Sequence, residues 1–223
     1  MMHLVVSPHL DDAVLGAGQW LSVHPGAVVL TVFAGIPRAA DMLTSWDRRS
    51  GFANAAEAVA TRQAEDRAAL SVLGAEPLWL DHVDDQYGEP SRLETLVASL
   101  QTVLRRLAPT NILMPLGLFH HDHVLAQRAC LQAAHAEGAV TLRAYEDAIY
   151  RSLPGRLQET LVRLAHDGVR ATPAAEQPTS NSVTAKARAL AAYASQRRAF
   201  DGTRWNDALR PERYWKLEWQ RGN

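Results

Sequence analysis

Met2-His3-Leu4-Val5-Val6-Ser7-Pro8-His9-Leu10-Asp11-Asp12 is the stretch on which the fold turns. Met2 to Val6 reads as a buried parallel strand. Asp11 and Asp12 then open a helical pattern that runs through Ala13, Val14 and Leu15 to Trp20 and Leu21. In open α/β sheets the ligand site lies off the carboxyl ends of the strands. An imidazole and two carboxylates therefore meet where such folds put their chemistry. Helix capping and the helix dipole account for one Asp at this junction. They account for neither the second Asp nor His9, three residues before Asp12.

A second cluster repeats the arrangement. His120-His121-Asp122-His123 follows the apolar run Asn111-Ile112-Leu113-Met114-Pro115-Leu116-Gly117 and precedes the helical pattern Val124 to Leu131. Taken alone, these histidines read first as surface or capping residues. Two His/Asp clusters at matching strand-to-helix junctions of a parallel sheet lie on one edge of it. Mixed imidazole and carboxylate ligands suit zinc or another borderline divalent metal, and a catalytic site keeps one coordination position open.

Strand and helix signals alternate outward from these two junctions. Ala27 to Phe33 is a β-branched apolar run ended by Gly35 and Pro37. Arg38 to Asn54 reads as a long irregular segment carrying Trp46, Asp47 and Arg49, which either walls a pocket or is a surface excursion. Ala55 to Leu73 has a helical apolar face and Gly74 as its stop. Pro77 to Leu80 is a third strand. Ser91-Arg92-Leu93-Glu94 resembles a capping box ahead of a helix ending at Leu107. Thr141 to Tyr145 is a fifth strand. Leu157 to Ala165 reads as a short helix, Pro173 to Ser182 as a loop, and Val183 to Phe200 as one helix. The expectation is a single domain over residues 1–223. Its fold class is α/β: Rossmann-like, a mostly parallel sheet with helices on both faces and the active site at the C-terminal ends of the strands. No Gly-x-Gly-x-x-Gly follows the first strand, which disfavours a dinucleotide.

Composition narrows the functional classes. The 223 residues are 47% hydrophobic with a net charge of -1, and Lys+Arg nearly balances Asp+Glu. There is no basic stripe of the kind a nucleic-acid binder carries, so no nucleic-acid partner is expected. No apolar segment approaches membrane-spanning length or has the pattern of a signal peptide. A single cysteine, Cys130, excludes an intrachain disulfide; it reads as a small core residue, and the expected setting is cytoplasmic.

The clusters permit a definite chemistry. His9 and Asp12, at i and i+3 across a turn, can face one metal ion, and His123 completes a set of one carboxylate and two imidazoles. Asp11 is left free to act as general base toward water. His120 can face the substrate; in its protonated form, held by Asp122, it would stabilise an oxyanion or protonate a leaving amine. His121 is the spare histidine. The parts suit metal-assisted hydrolysis of an amide or ester.

These residues resemble those of a known family. Pro-His-x-Asp-Asp followed by His-x-Asp-His is similar to the PIG-L (LmbE-like) family of zinc-dependent N-acetylglucosaminyl deacetylases. Arg62-Gln63-Ala64-Glu65-Asp66 matches the family's Arg-x-x-Glu helix. Trp46 to Phe52, Tyr145-Glu146-Asp147, and Lys186 through Tyr193 to Gln196 also look familial, so the resemblance covers nearly the whole chain. It implies one zinc ion per chain on His9, Asp12 and His123, although iron or cobalt suits the same ligands. It implies Asp11 as the base, and His120 as the acid or electrophile oriented by Asp122. It also implies Arg62 as a substrate contact, the alternative being a helix-surface pair with Glu65 or Asp66. Asp84 or Asp85 resembles an acidic position that binds sugar hydroxyls. The implied partner is a small N-acetylated sugar substrate; relatives often assemble, so a homo-oligomer is compatible.

The chain departs from the family pattern at three positions. Leu10 replaces a Pro, Ala13 replaces a Glu, and His121 replaces the Pro of His-Pro-Asp-His. The metal and base positions survive. The expected function is removal of an N-acetyl group from an N-acetylglucosamine-type sugar or sugar conjugate. The rivals are a metal-dependent amide or ester hydrolase acting on a non-sugar metabolite, and a catalytically idle, metal-containing sugar-binding module.

Overall fold

The computed structural model describes residues 1–138, 141–175, 178–200 and 202–220, without the side chains of 203 and 204. Its elements in chain order are β1 His3–Ser7, α1 Asp12–Ser22, β2 Val28–Thr31, α2 Ser45–Ser50, α3 Ala55–Leu73, β3 Glu76–Trp79, α4 Leu93–Leu107 and β4 Asn111–Pro115. They continue with α5 His121–Glu137, β5 Thr141–Tyr145, α6 Arg156–His166, β6 Val169–Ala174, α7 Ser180–Leu190, α8 Ala194–Ala199, α9 Gly202–Asp207 and β7 Tyr214–Trp219. One sheet runs in the order β3-β2-β1-β4-β5-β7-β6. β1 to β5 are mutually parallel, and β7 is antiparallel to both β5 and β6. Among the described residues no helix is long and apolar enough to cross a membrane.

Alternation along the strands creates two cores. Leu4 and Val6 of β1, with Ile112 and Met114 of β4, face α4 and α5 through Leu96, Leu100, Ala126 and Cys130. Val5 and Leu113 point the other way, onto Val14 and Leu21 of α1, Leu70 of α3 and Leu190 of α7. Successive side chains of a strand leave on opposite faces, so a continuous apolar run is what a sheet covered on both faces requires. Cys130 is a buried free thiol in the first core.

The strand order places the site. β1 pairs with β2 on one side and with β4 on the other, where Leu4 lies opposite Ile112 and Val5 opposite Leu113. Chain progression reverses between β1 and β4, so their following loops diverge and leave a crevice. Those loops carry His9–Asp12 and His120–His123.

α1 is broken at its middle. Ala17 is non-helical at φ -140 and ψ 20. Gly16 lies under the Tyr145 ring, where an added Cβ would fall 2.4 Å from Cδ2. The backbone groups freed around the break are not left bare. Lys186 Nζ donates to the Leu15 carbonyl at 2.7 Å, and the Glu212 carboxylate accepts from the amides of Gln19 and Trp20 at 2.8 and 3.2 Å. Lys186 and Glu212 also pair at 2.7 Å, fully inside the protein, so each buried charge has its partner.

The chain departs from the sequence-based expectation in several places. Asp11 occupies the cap position of α1, but its side chain accepts no capping hydrogen bond. The Ser91–Glu94 capping box does not form, because α4 begins at Leu93 with Arg92 before it and no side-chain cap. The irregular segment 38–54 contains α2, capped by Thr44. Pro173 lies in β6, an edge strand that tolerates proline, and α7 starts at Ser180. Positions 176 and 177 of the expected loop lie outside the described residues. The single helix 183–200 is two helices, because the chain turns at Tyr193 so that its hydroxyl reaches Asp66 at 2.9 Å. The sequence pattern does not predict β7, which lies between β5 and the edge strand β6 because it pairs with both.

Candidate active site

The two loops meet in a cleft of about 240 Å³, lined in its polar part by His9, Asp11, Asp12, Arg62, Asp84, His120 and His123. One oxygen of Asp12, Oδ2, lies 3.0 Å from His9 Nδ1 and 3.1 Å from His123 Nε2. The ligand atoms of His9, Asp12 and His123 all fall within 4.8 Å of one another. The backbone amide of His9 also donates to Asp12 Oδ2 at 2.9 Å, which fixes the turn between them.

The outer nitrogen of each ring is held by a further carboxylate. His123 Nδ1 is 2.5 Å from Asp147 Oδ1, and the other Asp147 oxygen accepts from the amides of Gly117 and Leu118 at 2.8 and 3.0 Å. Gly117 has φ +74, a conformation that favours glycine, so this turn after β4 can present two consecutive N–H groups to one oxygen. His9 Nε2 is 2.9 Å from Asp122 Oδ2, which also accepts from the Asp85 amide at 3.1 Å. Carboxylates behind ligating imidazoles fix ring orientation and raise ligand basicity. Two imidazoles and a carboxylate facing inward, each ring braced from behind, fit a divalent metal.

Electrostatics follow from burial and from this crowding of acids. Burial opposes charge on His9, but Asp84, Asp12 and Asp122 outweigh it and raise the ring well above the usual imidazole range. His123 is likewise opposed by burial and raised to about 9 by Asp12 and Asp147. Burial would raise Asp12, yet His123 and His9 pull it well below the usual carboxylate range. Asp11 goes the other way: burial and the adjoining Asp12 carboxylate push it up, which makes it the more basic of the two.

His120 differs from the sequence-based expectation. Asp122 does not hold it in a charged form, since that carboxylate is turned to His9. His120 instead caps α5, its Nδ1 accepting from the Asp122 amide at 3.3 Å. Burial and the neighbouring His9 and His123 lower its pKa. A neutral ring accepting at Nδ1 carries its proton on Nε2 and is a hydrogen-bond donor. His121 is exposed and takes no part in the cleft lining.

Arg62 is not a surface partner of Glu65 or Asp66. It is buried, reaches the cleft, and pairs with Asp47 of α2 at 2.6 Å. Asp84 lines the cleft, 3.9 Å from His9 Nε2, and caps the short turn 85–87 by accepting from the Gln86 amide at 3.0 Å. Asp85 contributes its backbone to Asp122. Leu10, which departs from the family pattern, lines the cleft, and Ala13 is buried. The structure gives definite places to Asp147, Trp46 and Gln196, which the sequence offered only within familial stretches: Asp147 lies behind His123, and Trp46 and Gln196 join Phe200 in the cleft wall, so the segment 38–54 does wall a pocket. No spacing in the chain announces that residues 46 and 196 are neighbours.

This fold and cleft define a class of α/β proteins that gather a His/Asp cluster fit for a divalent metal at the switch point of a mostly parallel sheet. The chain belongs to the PIG-L family, GlcNAc-PI de-N-acetylase, whose model matches residues 4–134. It is similar in structure to the A40926 pseudoaglycone deacetylase, at TM-score 0.80 and 27% identity over 100% of this chain and 99% of that one. It is also similar to a triple mutant of a deacetylase of the teicoplanin biosynthetic pathway, at TM-score 0.80 and 24% identity over 100% of both chains. GalB, the 4-carboxy-2-hydroxymuconate hydratase of Pseudomonas putida KT2440, shares the fold at TM-score 0.69 and 20% identity, over 100% of this chain and 98% of its own. Among curated proteins no sequence match was found.

Proposed function

We propose that the chain is a zinc-dependent hydrolase that removes the N-acetyl group from an N-acetylglucosamine-type sugar or sugar conjugate. The observation that carries this reading is the sharing of one cleft by His9, Asp12 and His123, the uncapping Asp11 and the donor face of His120. Membership of the PIG-L family and similarity to two antibiotic-pathway deacetylases support it. The shared fold of a hydratase means that the argument rests on the site rather than on the architecture.

His9, Asp12 and His123 would hold the ion. A divalent cation there supplies Lewis acidity toward water and the acetamide carbonyl. Asp11, raised in basicity by burial and by Asp12, takes a proton from the attacking water. His120 donates from Nε2 to the carbonyl oxygen as negative charge gathers on it, a role a neutral imidazole performs. Asp11 then passes its proton to the amide nitrogen, the C–N bond breaks, and acetic acid and a free amine leave. Asp84 accepts from sugar hydroxyls, and Arg62 borders the same ligand. The buried thiol of Cys130 is compatible with a reducing, cytoplasmic setting.

The test is acetate release across a panel of N-acetylglucosaminides and simple acyl amides, with metal content measured in parallel. Release from the sugars with stoichiometric zinc is the expected result. Release only from simple amides moves the protein to a non-sugar substrate, and tight sugar binding without release makes it an idle module.

A further inference from the structure

Arg62, Glu65 and Asp66 stand at i, i+3 and i+4 on one face of α3, and each grips a different neighbouring segment, of which Arg62 alone of the three reaches the cleft lining. Arg62 takes Asp47 of α2. Asp66 accepts from the Tyr193 hydroxyl and the Trp79 indole, both at 2.9 Å. Glu65 takes Ser195 of α8 twice, through its amide at 2.8 Å and its hydroxyl at 2.5 Å. The next residue, Gln196, donates from Nε2 to Ser195 Oγ at 3.2 Å and accepts at Oε1 from Trp46 Nε1 at 3.1 Å. A hydrogen-bonded chain thus runs from Glu65 through α8 to the indole of α2. Arg198 completes the α2–α8 wall by donating to the Ser50 carbonyl at 2.9 and 2.7 Å.

What this wall offers a ligand follows from the same bonds. An indole has one donor, and that of Trp46 is used inside the wall. It therefore presents carbon surface to the cleft, with the Phe200 ring edge-on at 4.9 Å and Ile149 in the same lining. The polar groups lie at His9, Asp12, Asp84 and Arg62. A ligand that fills both parts is amphipathic.

We propose that Glu65 is a positioning residue which, through Ser195 and Gln196, sets the Trp46 wall as a subsite for a flat apolar group attached to the acetamido sugar. The sugar half of this statement rests on the deacetylase reading; the apolar half rests on the wall.

Phenyl and methyl N-acetylglucosaminide are the probes, with the full zinc-loaded chain. KM and kcat are measured for both, and binding of both is measured separately by calorimetry. The wild type is expected to favour the phenyl glycoside about tenfold in KM, the size of one good aromatic contact. Glu65→Ala moves the ratio toward one, with the loss in KM rather than kcat. Glu65→Gln, which keeps a carbonyl acceptor for Ser195, recovers most of it. If Glu65→Ala does not fold, Ser195→Ala removes only the hydroxyl link and shifts the ratio the same way by less. An unchanged ratio in these variants, or equal weakening of both glycosides, overturns the proposal. Acetate release from both glycosides at equal KM in the wild type overturns it and leaves the deacetylase reading intact. Release from neither overturns the deacetylase reading, and calorimetry then decides the wall: a preference for the phenyl glycoside upholds it and equal binding overturns it.

Discussion

Asp147 Oδ1 lies 2.5 Å from His123 Nδ1, bridging the end of β5 to the first turn of α5. The bond is fully buried, and it leaves only Nε2 of His123 to face Asp12. Because the second Asp147 oxygen is held by two backbone amides, the carboxylate cannot swing away without breaking three bonds. The orientation of one ring of the proposed metal-ligand set is thus set by a residue outside that set.

Asp147→Asn is expected to weaken zinc binding about 10–100-fold, the range for a lost partner behind a metal-ligating histidine. Competition with a chelator of known affinity measures this directly. Zinc affinity equal to wild type would mean that the ring is held by packing alone.

Asp11→Asn is expected to retain zinc and lose about 10²–10⁴-fold in turnover, the usual contribution of a general base. Asp11 forms no capping bond to α1, so the folded structure should be little affected. Metal analysis and initial rates on the same preparation separate the two effects. Near-normal rates would remove Asp11 from the chemistry.

His120→Ala and His121→Ala form a matched pair. The first is expected to lower kcat by about 10²–10³, as for loss of one oxyanion donor, with metal content intact. The second, at an exposed position outside the cleft lining, is expected to change kcat by less than about threefold. Equal losses in both variants would pass the donor role to His121.

Asp66 gives a stability prediction independent of the metal. Burial pushes its carboxyl from 3.8 up to about 6, despite the bonds from Trp79 and Tyr193. Between those two values the unfolded chain has released the proton and the folded chain keeps it. Stability linked to Asp66 is therefore full below pH 3.8, falls as pH rises through about 6, and is flat above. The change is about 3 kcal/mol. Asp66→Asn should remove this component, so the difference in urea-unfolding free energy between variant and wild type should vary across pH 4–7. A constant difference would show that Asp66 titrates normally.

Local pattern in the chain was enough to determine the strand-to-helix junctions, because burial on both faces of a parallel strand and the 3.6-residue helical period are written in consecutive residues. Ala55–Leu73 appears as read, and His9 with Asp12 forms one corner through an i, i+3 turn. The resemblance to the PIG-L family came from the two junctions together with Trp46–Phe52, Arg62–Asp66, Tyr145–Asp147 and Lys186–Gln196. Only the tertiary structure decided which carboxylate serves which ring. Asp122 is two residues from His120 in sequence, yet it braces His9, 113 residues away, because β1 and β4 are neighbours in the sheet and their loops face one crevice. Asp147 reaches His123 because β5 pairs with β4. Trp46 meets Gln196, 150 residues away, because Arg62 and Glu65 on one face of α3 each hold one of the two short helices. Such contacts depend on strand order and on buried polar groups finding partners, and neither has a period that can be read along a single chain.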